Sequence, residues 1–426
     1  MSETADDNSK SPDASVVHTP SVATAVADVA QEIAVAPIVT EPVPSVPDPV
    51  VDSTPAPLPP GATGILTINL AAIVANWRKL EKKTVPAECA AVVKADAYGC
   101  GITPVTRALA KAGCRTFFVA THDEARAVRA AAPDAALYVL DGFLGKGDLL
   151  ASCNARPVIS DFNELAEWEA FRQVSGWRGA AALHIDTGMN RLGLSIADAA
   201  MLLARFNAGD HGLSLVMSHL ACAELVTHAM NARQLGIFRE ISGRFPGVSA
   251  SLANSSGIYL GSAFGFEMVR PGAALYGVNP TPEADNPMLP VVDLRARILQ
   301  LRNVERGDSV GYGATWTARR PTRLAIVAAG YADGYFRSAG ARDGARGAEV
   351  MIAGKRCPVA GRISMDLIAI DITDLPANAV KRGDTATLIG DGITVDELAH
   401  HFGTIGYEVL TSLGRRYARA YKGGEA

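Results

Sequence analysis

Between Gly64 and Val269, short apolar runs rich in β-branched residues alternate with longer stretches whose apolar positions recur every three or four residues. The first kind of run reads as a strand and the second as an amphipathic helix. Strands are predicted at Ile65–Leu70, Ala90–Lys94, Thr116–Ala120, Ala136–Leu140, Pro157–Ser160, Ala181–Ile185, Leu213–Ser218, Ser249–Leu252 and Phe266–Val269. Helices are predicted at Ala71–Lys83, with Ile73, Trp77 and Leu80 on one side, and at Thr103–Ala112, ended by Gly113. Further helices are predicted at Asp123–Ala132, Asn163–Arg172, Ala197–Phe206 and Asn231–Arg244. About eight β-α units over roughly 210 residues fit a closed parallel barrel of the (β/α)8 kind. An open doubly wound sheet would alternate in the same way, but it usually brings a Gly-rich first turn that is missing here.

The rhythm stops at Asn279–Pro290, which reads as a connector. Beyond it short β runs separated by Gly-containing turns dominate: Leu294–Arg302, Arg323–Ala328, Glu349–Ile352, Leu367–Ile370 and Thr385–Ile389. The expected organisation is therefore a barrel over residues 63–288 and an all-β domain over 289–426.

The start of the chain has another texture. Through Pro60 it holds eleven prolines, no aromatic residue, and nine acidic groups against one lysine. That gives the segment a charge of −8 and leaves +4 on the remainder of a chain whose net charge is −4. Such a segment has too little apolar surface to offset roughly 1–2 kcal/mol of backbone ordering per residue. Residues 1–62 are expected to be a disordered acidic tail, with a transient helix at Thr24–Val35 that Pro37 stops. No basic n-region precedes a compact apolar core, so a secretory signal is not expected. No apolar run is long enough to span a bilayer. The six cysteines are scattered without a C-x-x-C pair, which fits reduced thiols in a cytoplasmic protein and offers no metal site.

The candidate chemistry lies at predicted strand ends, where a parallel barrel keeps its catalytic groups. Lys94 closes the apolar segment Ala91-Val92-Val93 and is followed by Ala95-Asp96-Ala97-Tyr98-Gly99. An amine desolvated there has a lowered pKa and becomes a candidate Schiff-base nucleophile; the alternative is a lysine that snorkels to solvent. Tyr98, Arg191, His219, Asn254, Ser255 and Arg270 occupy comparable positions. The set is coherent for a phosphorylated aromatic aldehyde. Lys94 would form the imine, and His219 could stack on a pyridine ring. Ser255, with backbone N–H groups of the Arg270-Pro271-Gly272-Ala273 turn, could cradle a phosphate, since Gly272 opens a predicted helix. Singly, His219 also reads as a core histidine and Asn254-Ser255 as an ordinary helix cap.

The segments AVVKADAYGCG, HIDTGMNRLG, MSHLACA, LANSSG and MVRPGAALYG, then VGYGATW, AGYADGY and GRISMD, closely resemble the alanine racemase family, in that family's order. The resemblance spans residues 91–366 and extends to the C-terminal YEVLTSLGRRYARAY. It implies an N-terminal barrel, a C-terminal β domain, pyridoxal phosphate as cofactor, alanine as substrate, and a homodimer whose active sites are shared across the interface. Neither nucleic acid nor membrane is implied as a partner. Residue by residue, it implies that Lys94 is the Schiff-base lysine and one proton-transfer group. Tyr312 is then the second group, arriving from the partner chain. Arg270 would hydrogen-bond the pyridine nitrogen, and Tyr98, Ser255, Gly272 and Ala273 would contact the phosphate. Arg191 would sit beside the cofactor's phenolic oxygen and the substrate carboxylate. Tyr331 and the backbone N–H of Met365 would bind that carboxylate, with Asp366 nearby.

Three positions depart from the family pattern. His184 stands where many members have a lysine, carbamylated in some, that orients the neighbouring arginine. Cys100 stands where a histidine often follows the Tyr-Gly pair. Arg415 occupies the place of a phosphate-contacting tyrosine, with Tyr417 two residues on. The implied function is two-base racemisation of alanine, supplying D-alanine for peptidoglycan. The competing readings are a racemase of broader specificity taking serine or basic amino acids, a non-catalytic pyridoxal phosphate-binding barrel, and a decarboxylase on the same plan. Tyr312 and the β domain argue against the second of these, and Arg270 against the third.

Overall fold

The computed structural model describes residues 56–204 and 211–424. The expected tail through residue 55, its Thr24–Val35 helix and the end of the helix expected at Ala197–Phe206 lie outside the described residues.

A parallel barrel forms as the alternation predicts. Its strands run in chain order through Ala91–Val92, Thr116–Val119, Ala136–Val139, Arg156–Ile159, Ala181–His184, Leu213–Met217 and Ser249–Ser251. Met268–Val269 closes the ring. It pairs in parallel with Glu88–Cys89, which continues into Ala91–Val92 through Ala90 N–H donating to the Val269 carbonyl at 3.0 Å. On its other side Arg270 N–H donates to the Ala253 carbonyl at 2.9 Å. Apolar side chains plug the interior: Ala90, Val92, Phe118, Tyr138, Val158, Ala182, Leu215, Met217 and Met268 form one buried cluster. The barrel is a packed core with its working groups on the rim.

The strand expected first in the barrel belongs elsewhere. Gly64–Asn69 pairs antiparallel with Val292–Val304 and parallel with the edge strand Ala418–Lys422 in the second domain's sheet. The barrel therefore begins at residue 88. Sequence order misleads here because a strand buried on both faces has the same apolar pattern in either sheet. Residues just before it also pack on this sheet: Arg297 donates to the carbonyls of Pro59 and Ala62. The intervening helix Leu70–Thr84 is capped by Asn69, whose Oδ1 accepts from Ala72 N–H at 3.0 Å. It buries Ile73, Trp77 and Leu80 as predicted, and Trp77 Nε1–H donates to the Cys89 carbonyl at 3.0 Å, joining helix to barrel.

The second domain is strand-rich. Its sheet runs Lys355–Pro358, Glu349–Ile352, Thr385–Ile389, Val292–Val304, Gly64–Asn69, Ala418–Lys422, and the far half of Val292–Val304 also pairs with Thr322–Val327. It is not wholly β. Val395–Phe402, capped by Thr394, and Gly406–Ser412 are α-helices. The second of these packs against the turn that follows Lys94, where Arg419 donates to the Gly99 carbonyl.

Candidate active site

Lys94 sits where its strand leaves the barrel, and the next four residues form a left-handed turn. Ala95, Asp96, Ala97 and Tyr98 have φ of 54°, 54°, 53° and 52°. For side-chain-bearing residues this region costs roughly 1–2 kcal/mol each, so the surroundings must fix it. Ala97 N–H donates to the Val93 carbonyl at 2.9 Å, Gly101 N–H to the Asp96 carbonyl at 2.8 Å, and Ile102 N–H to Asp96 Oδ1 at 2.8 Å. Glu124 binds Asp96 N–H at 3.3 Å while its other oxygen takes Ala120 N–H at 2.9 Å. Strain of this kind concentrates at functional sites. Desolvation pushes the Lys94 pKa down and the Arg191 cation adds to it; Glu124 and Asp141 oppose. The lysine is held toward its nucleophilic form.

Two histidines and a buried arginine share this rim. His184 ends the strand Ala181–His184, and its register partner Met217 lies two residues before His219. Burial lowers the His184 pKa to about 4, helped by Arg270 and Arg191. Burial likewise lowers His219 to about 3, with Arg270, Arg191, His184 and Lys94 as charged or polar neighbours. Both are neutral imidazoles at pH 7. Arg270 lies 5.9 Å over the Phe118 ring that tops the apolar plug. Its Nη1 donates to Ser251 Oγ at 2.5 Å and its Nη2 to the Ser218 carbonyl at 2.6 Å. Burial lowers its pKa to about 10, which still leaves a cation at pH 7. Arg191 is exposed, at the end of a loop that Asp186 Oδ1 gathers by accepting from Gly188, Met189 and Asn190 N–H at 2.9–3.1 Å.

A neighbouring strand end gathers a tight turn around Ser255. Ser255 Oγ accepts from Gly272 N–H at 3.0 Å and from Ala274 N–H at 3.2 Å, and Ala273 between them is half-buried. The helix expected after Gly272 is a single 3-10 turn, Ala273–Tyr276. Tyr98 stacks on Tyr276 with centroids 4.7 Å apart, and its phenol lies against Gly272, leaving no room there for a side chain. Tyr276 Oη–H is itself tied to the Val92 carbonyl at 3.0 Å. The structure thus brings Lys94, Tyr98, Arg191, His219, Ser255, Arg270, Gly272 and Ala273 to one rim. Asn254 is partly committed locally, its Oδ1 capping Gly257 N–H at 2.9 Å.

Tyr312, Tyr331 and Met365 are on the β domain, 65%, 42% and 53% exposed. Tyr331 and Met365 are neighbours there, since Ala332 N–H donates to the Met365 carbonyl at 3.0 Å. Asp366 pairs with Arg416 at 2.7 Å, and Arg416 also grips the buried Asp333. Among the described residues, no hydrogen bond, ion pair or ring contact joins Tyr312, Tyr331 or Met365 to the barrel rim. Tyr417 is buried with the second-domain strands, against Gly64, and Arg415 is exposed. Glu124 escaped the sequence reading, although Thr121-x-x-Glu124 is a legible capping box.

A desolvated amine, two neutral imidazoles, a buried guanidinium and the Ser255–Gly272 turn thus lie together on one barrel rim. The comparisons with known proteins agree. Residues 68–280 match the alanine racemase N-terminal domain and residues 291–421 the alanine racemase C-terminal domain. An alanine racemase of Methylobacterium sp. (strain 4-46) is 52% identical over 84% of this chain and 97% of its own length. The biosynthetic alanine racemase of Agrobacterium fabrum is 44% identical over 84% of this chain and 93% of its own. The crystal structure of alanine racemase from Bartonella henselae with covalently bound pyridoxal phosphate superposes with a TM-score of 0.80 at 39% identity, covering 84% of this chain and 99% of that one. The chain belongs to the alanine racemase family.

Proposed function

We propose that this protein interconverts L- and D-alanine with pyridoxal phosphate held at the barrel mouth. The observation that carries the reading is the junction of an amine of lowered pKa, Lys94, with the Arg270 donor and the Ser255–Gly272 cradle, in a chain matching both domains of the family. When bound, the cofactor supplies the electron sink that acidifies an amino acid's Cα–H.

Lys94 would hold the cofactor covalently, and Tyr98, Ser255, Gly272 and Ala273 would hold its phosphate, with Asn254 beside them. His219 would flank the pyridine ring. Arg270 is a permanent donor, so it keeps the ring nitrogen unprotonated and the sink weak, which favours returning a proton to Cα. Arg191, Tyr331 and the N–H of Met365 orient the substrate carboxylate. Lys94 and Tyr312 then act from opposite faces of Cα, one removing the proton and the other returning one. Each positioned group contributes on the order of 10²–10⁴ in rate. His184 is a neutral imidazole beside Arg191 and Arg270 and takes the place of an orienting lysine. The exposure of Tyr312, Tyr331 and Met365 supports a homodimer in which these side chains complete the partner's barrel mouth. Six free thiols fit a cytoplasmic enzyme, one that supplies D-alanine for peptidoglycan.

The test is chiral chromatography of the cofactor-loaded protein incubated separately with L-alanine, L-serine and L-lysine, beside Tyr312→Phe. Conversion of alanine alone, lost by at least about 10²-fold in the variant, is the expected result. Comparable conversion of serine or lysine would reassign the protein to a racemase of broad specificity. Cofactor binding without any conversion would overturn the reading.

A further inference from the structure

His219 is held by its backbone from two sides. The carbonyl before it, that of Ser218, accepts from Arg270 Nη2 at 2.6 Å. Its own carbonyl accepts from Gln234 Nε2 at 2.9 Å. Gln234 comes from the long helix Ala229–Ser242, outside the barrel strands, and is fully buried. Its Oε1 accepts from Ala221 N–H at 2.9 Å, and its Nε2 also donates to Thr187 Oγ1 at 3.1 Å. Thr187 Oγ1 and Ser218 Oγ are 2.8 Å apart. The amide orientation has no alternative: a backbone N–H on one side and a carbonyl on the other admit only one assignment.

Gln234, Thr187, Ser218, Ser251 and Arg270 are all buried, and Ser251 Oγ–H passes on to the Met268 carbonyl at 2.6 Å. A buried hydrogen-bonded network of this kind restrains geometry, because a departure leaves donors or acceptors stranded. Nothing in it closes the barrel ladder, which the strand pairings already complete. What it does fix is the turn His219–Ala221 and, through Thr187 and Ser218, the carbonyl on which Arg270 rests.

We infer that Gln234 is a positioning residue, setting the imidazole of His219 and the guanidinium of Arg270 in fixed relation to the cofactor ring. The inference rests on the pyridoxal phosphate site proposed above. Gln234 touches neither cofactor nor substrate; it acts through the two residues that do.

The experiment compares holoenzyme of the wild type, Gln234→Met and Gln234→Glu. The methionine removes all three hydrogen bonds at similar volume. The glutamate keeps the acceptor for Ala221 N–H and has at most one donor, its own O–H when protonated, so it cannot serve the His219 carbonyl and Thr187 Oγ1 together. Four quantities are read: the cofactor Kd by titration of stripped protein, the visible absorption band, kcat and KM for alanine, and the melting temperature. Both variants should bind cofactor roughly tenfold more weakly, the loss expected from one or two buried hydrogen bonds. Their visible band should shift, and kcat should fall about tenfold or more while KM stays within about twofold. Variants that melt earlier but keep the wild-type Kd, band and kcat would reduce Gln234 to a structural residue and overturn the inference. Should Gln234→Met fail to fold, Gln234→Glu and Thr187→Val decide by the same readouts. A wild type that binds no cofactor would instead overturn the proposed site itself.

Discussion

Replacing Gly272 by alanine tests the proposed phosphate cradle where Tyr98 closes on it. A Cβ there would overlap the Tyr98 hydroxyl and come within 3.0 Å of Tyr98 Cζ and 3.4 Å of its Cε2. The ring has little freedom to yield. It is stacked on Tyr276, which is tied to the Val92 carbonyl, and its backbone is in the left-handed turn that also carries Lys94. Overpacking of this kind costs about 1–3 kcal/mol. If the strain falls on the bound state, it weakens cofactor binding by roughly 5- to 150-fold; if both states carry it, it lowers folding stability instead. Titration of stripped protein with pyridoxal phosphate and denaturant unfolding of the holoenzyme therefore have to be read together. Gly272→Ala combined with Tyr98→Phe removes the overlapping oxygen, and the double-mutant cycle should show a coupling of at least about 0.5 kcal/mol in the relieving direction. Wild-type Kd and stability in Gly272→Ala, or strict additivity in the cycle, would refute the picture of a cradle closed by Tyr98.

Two further expectations concern the cationic rim. Arg270→Glu should raise the ratio of pyruvate formed to D-alanine formed by about tenfold or more, because an acid at the ring nitrogen strengthens the electron sink; an unchanged ratio would count against the proposed role of the arginine. The pKa of His184, held at about 4 against an ordinary value near 6.5, makes the unfolded chain the better proton binder between those values, so stability falls as pH drops through that window. For His184 alone the loss is about 3 kcal/mol at most over the whole window. Melting of the holoenzyme between about pH 7.5 and 5 should decline less steeply in His184→Gln, and parallel declines would show that the imidazole is not the group responsible.

Much of this was legible from one sequence because barrel strands and rim chemistry are both local signals. Lys94, His219 and Arg270 each end or follow an apolar run, and the buried stripe Ile73-Trp77-Leu80 came out as its spacing required. Three features were not legible, each for a physical reason. The pairing of Gly64–Asn69 with Val292–Val304 is a long-range choice between two sheets that favour the same strand pattern. The left-handed turn at Ala95–Tyr98 contains no glycine, and contacts from elsewhere in the chain impose it against local preference. Gln234 is a polar residue in a helix, unremarkable by composition, whose role depends on three partners from two other strand ends.

The misplaced strand carries a consequence for modularity. Because Gly64–Asn69 lies between Val292–Val304 and Ala418–Lys422, everything from residue 70 to 291 is an insertion within one sheet. A fragment starting at the connector would lack the strand that joins Ala418–Lys422 to the rest of its sheet, with a row of unpaired backbone groups on each side of the gap. The two domains are therefore not interchangeable parts joined by a linker. The main sheet of the domain that carries Tyr312 is completed by residues that precede Lys94 in the chain, so a cut at Asn279–Pro290 separates that sheet from one of its own strands.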